Sequence, residues 1–97
     1  MKFMLTWRVH PEKRHETLKG FSQMSPEHDQ ADMGDKIKLI GRWHDVARMQ
    51  GVAIYEADDA SAMANWALNW NSMMDILDVV PVLDDEEARA VGRSRGA

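Results

Sequence analysis

The chain contains no cysteine, and this absence excludes several classes of chemistry. Disulfide bonds, thiolate nucleophiles and cysteine-ligated zinc sites all require that side chain. A glycine-rich phosphate loop, a serine in a nucleophile elbow and the HExxH zinc pattern are also missing. Nucleotide-dependent chemistry, acyl transfer and zinc proteolysis are therefore not expected.

Long apolar runs and clustered positive charges are also lacking. No segment approaches the roughly 20 residues of a membrane-spanning helix, and Arg8 and His10 interrupt the apolar N-terminus too early for a signal peptide. The net charge is −4, and no basic stripe suited to a phosphate backbone runs through the body of the chain. We therefore expect a cytoplasmic protein that binds neither membranes nor nucleic acid.

The segment from Lys36 to Glu56 predicts a β-hairpin around which the remaining chain folds. In its first arm, strict alternation places one set of side chains on one face: Ile37, Leu39, Gly41 and Trp43. Arg42 and His44 then share the opposite face, because residues two apart in a strand point to the same side. The second arm, Gly51 to Glu56, is short and rich in β-branched and aromatic residues. A hairpin is marginally stable alone, so other elements must cover it.

Two strands and three helices are predicted outside the hairpin. Their bounds follow from apolar alternation or periodicity and from capping residues. The strands are Lys2–Arg8 and Asp75–Leu83. The helices are one from Pro11 to about Met24, one following Asp59 and a short tail helix from Asp84 to near Gly92. The polar segment Ser25–Asp35 contains a proline and a glycine and is predicted to be a loop. The last residues, Arg93–Ala97, are expected to be frayed.

This element order, β-α-β-β-α-β, is typical of ferredoxin-like α+β folds, and 97 residues suffice for one such domain, residues 1–97. The fold has a four-stranded antiparallel sheet with both main helices on one face. Several strands carry apolar residues on both parities, so the uncovered face is expected to be a partner surface. The simplest partner is a second copy, which predicts a homodimer through the sheet face.

Five segments carry a family resemblance: MKFMLTW, LIGRWHDV, EADDA, WALNW and PVLDDEEA. Together they resemble a family of short bacterial proteins known as a domain of unknown function, with a GRWH motif in the hairpin. The resemblance covers nearly the whole chain and implies the dimeric α+β barrel group, which includes antibiotic monooxygenases, muconolactone isomerases and stress-responsive barrel proteins. It implies no established activity. The Ser25–Asp35 segment is longer and more acidic than the resemblance would suggest.

Arg42 and His44 are the candidate catalytic residues. An imidazole can act as an acid or base near neutral pH, and a neighbouring guanidinium can bind a carboxylate or stabilise an enolate oxygen. The alternative is structural, with Arg42 paired to Asp78 or Glu56 and His44 hydrated at the strand end. Structural ion pairs are common, so this alternative carries the greater weight.

Five aromatic residues are candidate ligand-binding residues: Trp7, Trp43, Tyr55, Trp66 and Trp70. They can wall a pocket between the second main helix and the sheet, although the helical spacing of Trp66 and Trp70 is equally typical of a core. No metal site is predicted, because His10, His15 and His28 lack regular ligand spacing. No cofactor is predicted either; haem is an alternative that visible absorbance would detect.

The sequence alone does not determine the function. The favoured interpretation is a dimeric protein that binds a small aromatic or anionic ligand and acts as a cofactor-independent isomerase or monooxygenase. The alternative is a non-catalytic structural or ligand-sensing module with a fully packed interior. Under the favoured interpretation, the strand face carrying Arg42 and His44 forms the floor of the site, and the opposite face packs against Trp66 and Trp70.

Overall fold

The computed structural model describes residues 1–96. Four strands within this range form one antiparallel sheet: β1 (Lys2–Val9), β2 (Ile37–Asp45), β3 (Gln50–Ala57) and β4 (Met74–Val82). Their order across the sheet is β2-β3-β1-β4, so β2 and β4 are the edge strands. The predicted ferredoxin-like α+β fold is confirmed.

The helices are α1 (Arg14–Ser22), α2 (Pro26–Met33), α3 (Ala60–Leu68) and α4 (Asp85–Ser94). A 3₁₀ turn at Pro11–Lys13 precedes α1, so the predicted first helix is divided in two. Helix α3 begins at the predicted cap, where the Asp59 carboxylate accepts a hydrogen bond from the Ala62 N–H at 2.9 Å. No helix among the described residues is long and apolar enough to cross a membrane.

The prediction of a loop at Ser25–Asp35 is wrong, because most of this segment forms α2. The Ser25 hydroxyl accepts a hydrogen bond from the His28 N–H, and His28 Nδ1 accepts one from the Ser25 N–H, each at 3.2 Å. This reciprocal pair is a capping box with histidine in place of the usual Glu or Gln. Pro26 occupies the first helical turn, and Gly34 follows the helix with φ of 79°. Proline and glycine therefore mark the two ends of a helix here.

The core lies on the face of the sheet that the helices cover. Alternate residues of the central strand β1 are buried there: Phe3, Leu5, Trp7 and Val9. Ala53 and Tyr55 of β3 lie beside them, opposite Leu5 and Phe3. Met63 and Ala67 of α3 are also buried and belong to the same cluster. Among residues 1–96, no helix packs over the centre of the opposite sheet face, which we call the helix-free face.

A β-bulge in β2 overturns the predicted alternation of that strand. The register shifts between Leu39 and Gly41, so that Leu39 lies opposite Tyr55 and Arg42 lies opposite Ala53. Both therefore point to the helix-covered face. The extra residue, Ile40, reverses the parity of everything after it, because strand side chains alternate with a period of two.

Helix α4 follows the sheet and buries none of its residues. Asp84 and Glu87 form its predicted capping box, and Asp84 Oδ1 accepts a hydrogen bond from the Glu87 N–H at 2.8 Å. The helix continues to Ser94, two residues beyond Gly92. The expected fraying reached to Ala97, which lies outside the described residues.

Candidate functional site

A cavity of about 300 Å³ lies between the helix-covered face of the sheet and helices α1, α2 and α3. Most of its wall is apolar, and the lining includes aromatic rings and methionines. Six of the seven predicted site residues line it: Trp7, Arg42, His44, Tyr55, Trp66 and Trp70. Because the bulge turns Arg42 and His44 to this face, they lie on the same side of the sheet as Trp66 and Trp70. The prediction that the two pairs lie on opposite faces is wrong.

Trp43 does not join the other predicted ligand-binding residues. It lies on the helix-free face, opposite Val52, and is 61% exposed. Its ring packs over Gly41, where an added Cβ would come within 2.5 Å of the indole. Glycine at this position lets the tryptophan lie flat on its own strand.

Arg42 is held by Asp29 of α2. Its Nη2 donates a hydrogen bond to Asp29 Oδ2 at 2.8 Å, and both side chains are largely buried. The predicted structural partners, Asp78 and Glu56, have other contacts: Asp78 accepts a hydrogen bond from Thr6, and Glu56 binds the N-terminal ammonium group. Asp29 was missed because its segment was predicted to be a loop.

The surroundings of Arg42 keep its charge while removing water. Burial alone would lower its pKa, but the hydrogen bond and the charge of Asp29 outweigh burial, so the pKa is raised. The guanidinium carbon lies 5.0 Å from the centre of the Phe21 ring of α1, within the range of a cation–π contact. Arg42 is thus a fixed, partly desolvated cation at the cavity wall.

His44 lies between two aromatic rings at the edge of the cavity. Its imidazole is 4.8 Å from the Phe21 ring centre and 5.5 Å from that of Trp7, which it meets edge-on. Gly51, opposite both Trp7 and His44, permits this approach, because a Cβ there would lie 2.5 Å from the Trp7 ring. Burial and then the charge of Arg42 lower the pKa of His44, so the ring is neutral near pH 7.

Tyr55 supplies a neutral phenol from the centre of the sheet. The residue is 1% exposed, and its ring meets Trp66 edge-on with the centroids 5.0 Å apart. Burial raises its pKa, and the nearby positive charge of Arg42 offsets part of that rise. The hydroxyl therefore stays protonated at neutral pH.

Asp32 of α2 joins the two tryptophans that follow β3. Its Oδ2 accepts hydrogen bonds from the indole N–H of Trp66 at 2.9 Å and of Trp70 at 3.1 Å. Indoles next to a core usually need such a partner. Helix α3 ends at Leu68, so Trp70 lies in the turn beyond it rather than on the predicted helical stripe. Helix α2 thus fixes Arg42 through Asp29 and both indoles through Asp32.

Comparison with known families identifies the family of the chain. Residues 1–96 match DUF3303, a domain of unknown function. The chain belongs to this family. No curated protein matches the chain. Membership in DUF3303 supports the predicted resemblance to a family of unknown function and implies no activity.

Formal charges around the DUF3303 cavity are mainly negative. Among the described residues that line it, Asp29, Asp32 and Asp45 carry carboxylates, and Arg42 is the one fully charged cation. The Arg42 charge is already matched by Asp29. An anionic ligand would add to the negative charge, whereas an uncharged ligand would not.

No group of three or more His, Cys, Asp or Glu side chains is arranged to hold a metal ion within residues 1–96. Two acidic side chains of α2 have other partners, since Asp29 binds Arg42 and Asp32 binds the indoles. His28, considered above as a metal ligand, uses Nδ1 to cap α2.

Proposed function

We propose that this DUF3303 protein binds a small, uncharged aromatic compound in the cavity between its sheet and helices. The observation that carries the proposal is the cavity itself, whose apolar walls surround one fixed cation, Arg42. Ligand sites typically combine apolar lining with a few placed polar groups. Such a cavity argues against the alternative of a fully packed interior.

The volume indicates the size of the ligand. An apolar cavity of about 150 Å³ holds one benzene molecule, and this cavity is about 300 Å³. A compound with two fused rings therefore matches it best. Arg42 would donate to an oxygen on that compound, and the ring systems of Trp66 and Tyr55 would contact its faces and edges.

The charges select between the two predicted ligand classes, aromatic and anionic. Three carboxylates and one cation line the cavity among the described residues. A carboxylate ligand would compete with Asp29 for Arg42 and meet repulsion from Asp32. A phenol or ketone can accept from Arg42 without adding charge, so we favour the uncharged class.

Isothermal titration calorimetry with 2-naphthol and 2-naphthoate at pH 7 tests this proposal. The two compounds share a ring system and differ in charge, and we expect 2-naphthol to bind at least tenfold more tightly. A matched pair of variants locates the site. Ala67→Leu fills the cavity wall and should abolish binding, whereas Ala64→Leu, at an exposed position of the same helix, should not. Tighter binding of 2-naphthoate, or no binding of either compound, would refute the proposal.

A second candidate function is proton transfer, as in an isomerase. The observation that favours it is the position of His44 at the cavity wall, two residues from Arg42 on the same face of β2. His44 would remove a proton from the carbon next to a carbonyl, and Arg42 would stabilise the resulting enolate oxygen. The predicted oxygenase chemistry has no further support among the described residues.

Deuterium exchange into 2-tetralone, an enolisable two-ring ketone, measures this step in D₂O by NMR. We expect the wild type to accelerate exchange next to the carbonyl and His44→Gln to lose the acceleration while still binding the ketone. Equal exchange rates with and without protein would remove the catalytic candidate and leave the binding proposal standing.

The assembly we propose is a homodimer stacked through the helix-free face, the predicted dimeric α+β barrel. Support comes from apolar side chains that lie on this face in the register of the sheet: Met4, Trp43, Val52, Ile54 and Val80. Four strands of eight or nine residues present a face of about 500 Å². A stable interface buries about 800 Å² per partner.

Helix α4 would supply the remaining area. Its first turn adjoins the helix-free face, because Lys2, which points to that face, contacts Glu87 at 3.3 Å. No residue of α4 is buried in the single chain, and Val91 is 48% exposed. A second copy therefore fits this surface better than an unrelated partner, since both sheet face and helix would be self-complementary about a two-fold axis.

A further inference from the structure

Thr17 of α1 has a buried hydroxyl without a hydrogen-bond partner. The residue is 8% exposed and lines the cavity. Its Oγ1 is the sole buried side-chain nitrogen or oxygen without a partner among residues 1–96. A helical threonine commonly bonds the carbonyl one turn earlier, but this one does not. Buried polar groups left unpaired cost stability, so each one calls for an explanation.

The three carboxylates that line the cavity have partners within the protein. Asp29 binds Arg42, and Asp32 accepts from both indoles. Asp45 accepts from the Arg48 N–H at 3.2 Å. Thr17 differs from these carboxylates, because its buried hydroxyl has neither a donor nor an acceptor partner among residues 1–96.

We infer that Thr17 Oγ1 determines specificity by hydrogen-bonding a second polar substituent on the ligand, an inference that rests on the proposed function. Phe21, which contacts Arg42, follows Thr17 by one helical turn, or about 6 Å along the helix axis. Thr17 therefore lies about one helical turn from the ring that contacts Arg42, along the same wall of the cavity. The ligand class is a two-ring aromatic compound with a hydroxyl or carbonyl group at each end.

Calorimetric titration with 2-naphthol and 2,6-dihydroxynaphthalene tests this inference. The second hydroxyl adds one neutral hydrogen bond, so the wild type should bind the diol about fivefold more tightly. Thr17→Val keeps the shape and removes the hydroxyl, so it should bind both compounds equally. Thr17→Ser keeps the hydroxyl and should retain the preference. Thr6→Val, on the helix-free face, is the matched control and should also retain it.

The melting temperature of the ligand-free protein separates recognition from a structural role. Because the hydroxyl has no partner in the protein, Thr17→Val should not lower it. A clear decrease, or an unchanged preference for the diol in Thr17→Val, would overturn the inference. Equal affinities of the wild type for both compounds would overturn it while leaving the proposed function intact. Failure of the wild type to bind either compound would overturn both.

Discussion

Arg42 makes three contacts at the wall of the cavity. It donates to Asp29, lies over the Phe21 ring and faces an apolar cavity. A guanidinium has five N–H donors, so the bond to Asp29 leaves others for a ligand oxygen. The residue can therefore serve structure and binding at once, and the two roles can be separated by mutation.

Replacing Arg42 with methionine removes the charge and keeps much of the side-chain volume. We expect the affinity for 2-naphthol to fall by about 2 kcal/mol, the range for a hydrogen bond from a charged donor. The free energy of unfolding should also fall by about 2 kcal/mol, because Asp29 is left without its partner in a site that is not fully buried. Calorimetry and urea unfolding measure the two effects.

Asp29→Asn is the control for this prediction, since it weakens the same ion pair and leaves Arg42 in place. It should lower stability and largely preserve binding. If Arg42→Met loses stability but binds 2-naphthol normally, Arg42 is a structural residue only.

The lowered pKa of His44 should make the stability of the protein depend on pH in a specific way. Its pKa in the folded protein is lower than the ordinary value of 6.5. Between these two values the unfolded chain binds more protons than the folded one, so stability rises with pH through this window and is lost as the pH falls below about 6.5. His44→Gln should remove that part of the dependence, as measured by urea unfolding between about pH 5 and pH 8.

His15→Gln, at an exposed position of α1, is the matched substitution and should leave the pH profile close to that of the wild type. A profile that is the same for the wild type and His44→Gln would show that the imidazole is not perturbed by its neighbours.

At the scale of elements, α2 organises the site. It is only eight residues long, yet it provides the partners of Arg42, Trp66 and Trp70. A helix this short is not stable by itself, so its capping and its side-chain contacts with the rest of the protein must hold it in place.

Ser25→Ala removes the N-cap of α2. We expect a loss of about 1 kcal/mol in the free energy of unfolding, the usual cost of a lost cap. Binding of 2-naphthol should weaken as well, because Asp32, which holds the indoles of Trp66 and Trp70, is then less firmly placed. Chemical unfolding and calorimetry measure both effects.

Asp84→Ala removes the equivalent cap of α4, which lies away from the cavity, and should leave 2-naphthol binding unchanged. If Ser25→Ala also leaves binding unchanged, α2 does not organise the site.

Most elements were predictable from the sequence, and two were not, for physical reasons. Alternation and apolar periodicity identified the strands and α3, and the Asp84 cap identified α4. Helix α2 was not predicted, because its residues are polar and its stability comes from caps and from contacts made by Asp29 and Asp32. The bulge at Ile40 was not predicted either, because one extra residue leaves no signal in composition. The bulge nevertheless decides which face of the sheet carries Arg42.

The sequence predicted which residues line the candidate site better than it predicted how those residues are arranged. The aromatic residues were identified by residue type, and Arg42 and His44 were identified by residue type together with their shared strand face. Their partners Asp29 and Asp32 required knowledge of α2, and Thr17 required knowledge of which hydroxyl lacks a partner. The pattern Ser-Pro-x-His at 25–28 was the available signal for the helix start.

At the scale of the whole molecule, the proposed dimer depends on Trp43. Its ring is the largest exposed apolar group on the helix-free face. Trp43→Glu would bury a charge in the interface, so we expect a monomer of 11.1 kDa in place of a species of twice that mass. Light scattering at micromolar concentration measures the change.

Leu68→Glu is the control, since Leu68 is 64% exposed but belongs to α3 on the other side of the sheet. It should remain dimeric. A wild type that stays monomeric at high concentration, or a Trp43→Glu variant that stays dimeric, would contradict this assembly.

The four tryptophans report directly on whether the helix-covered cavity binds the ligand. Each indole N–H gives one signal in a ¹H–¹⁵N NMR spectrum, assigned by single Trp→Phe variants. On addition of 2-naphthol, we predict that the signals of Trp66, Trp70 and Trp7 shift, while that of Trp43, on the opposite face, does not. A shift confined to Trp43, or no shift in any of the four, would contradict the account.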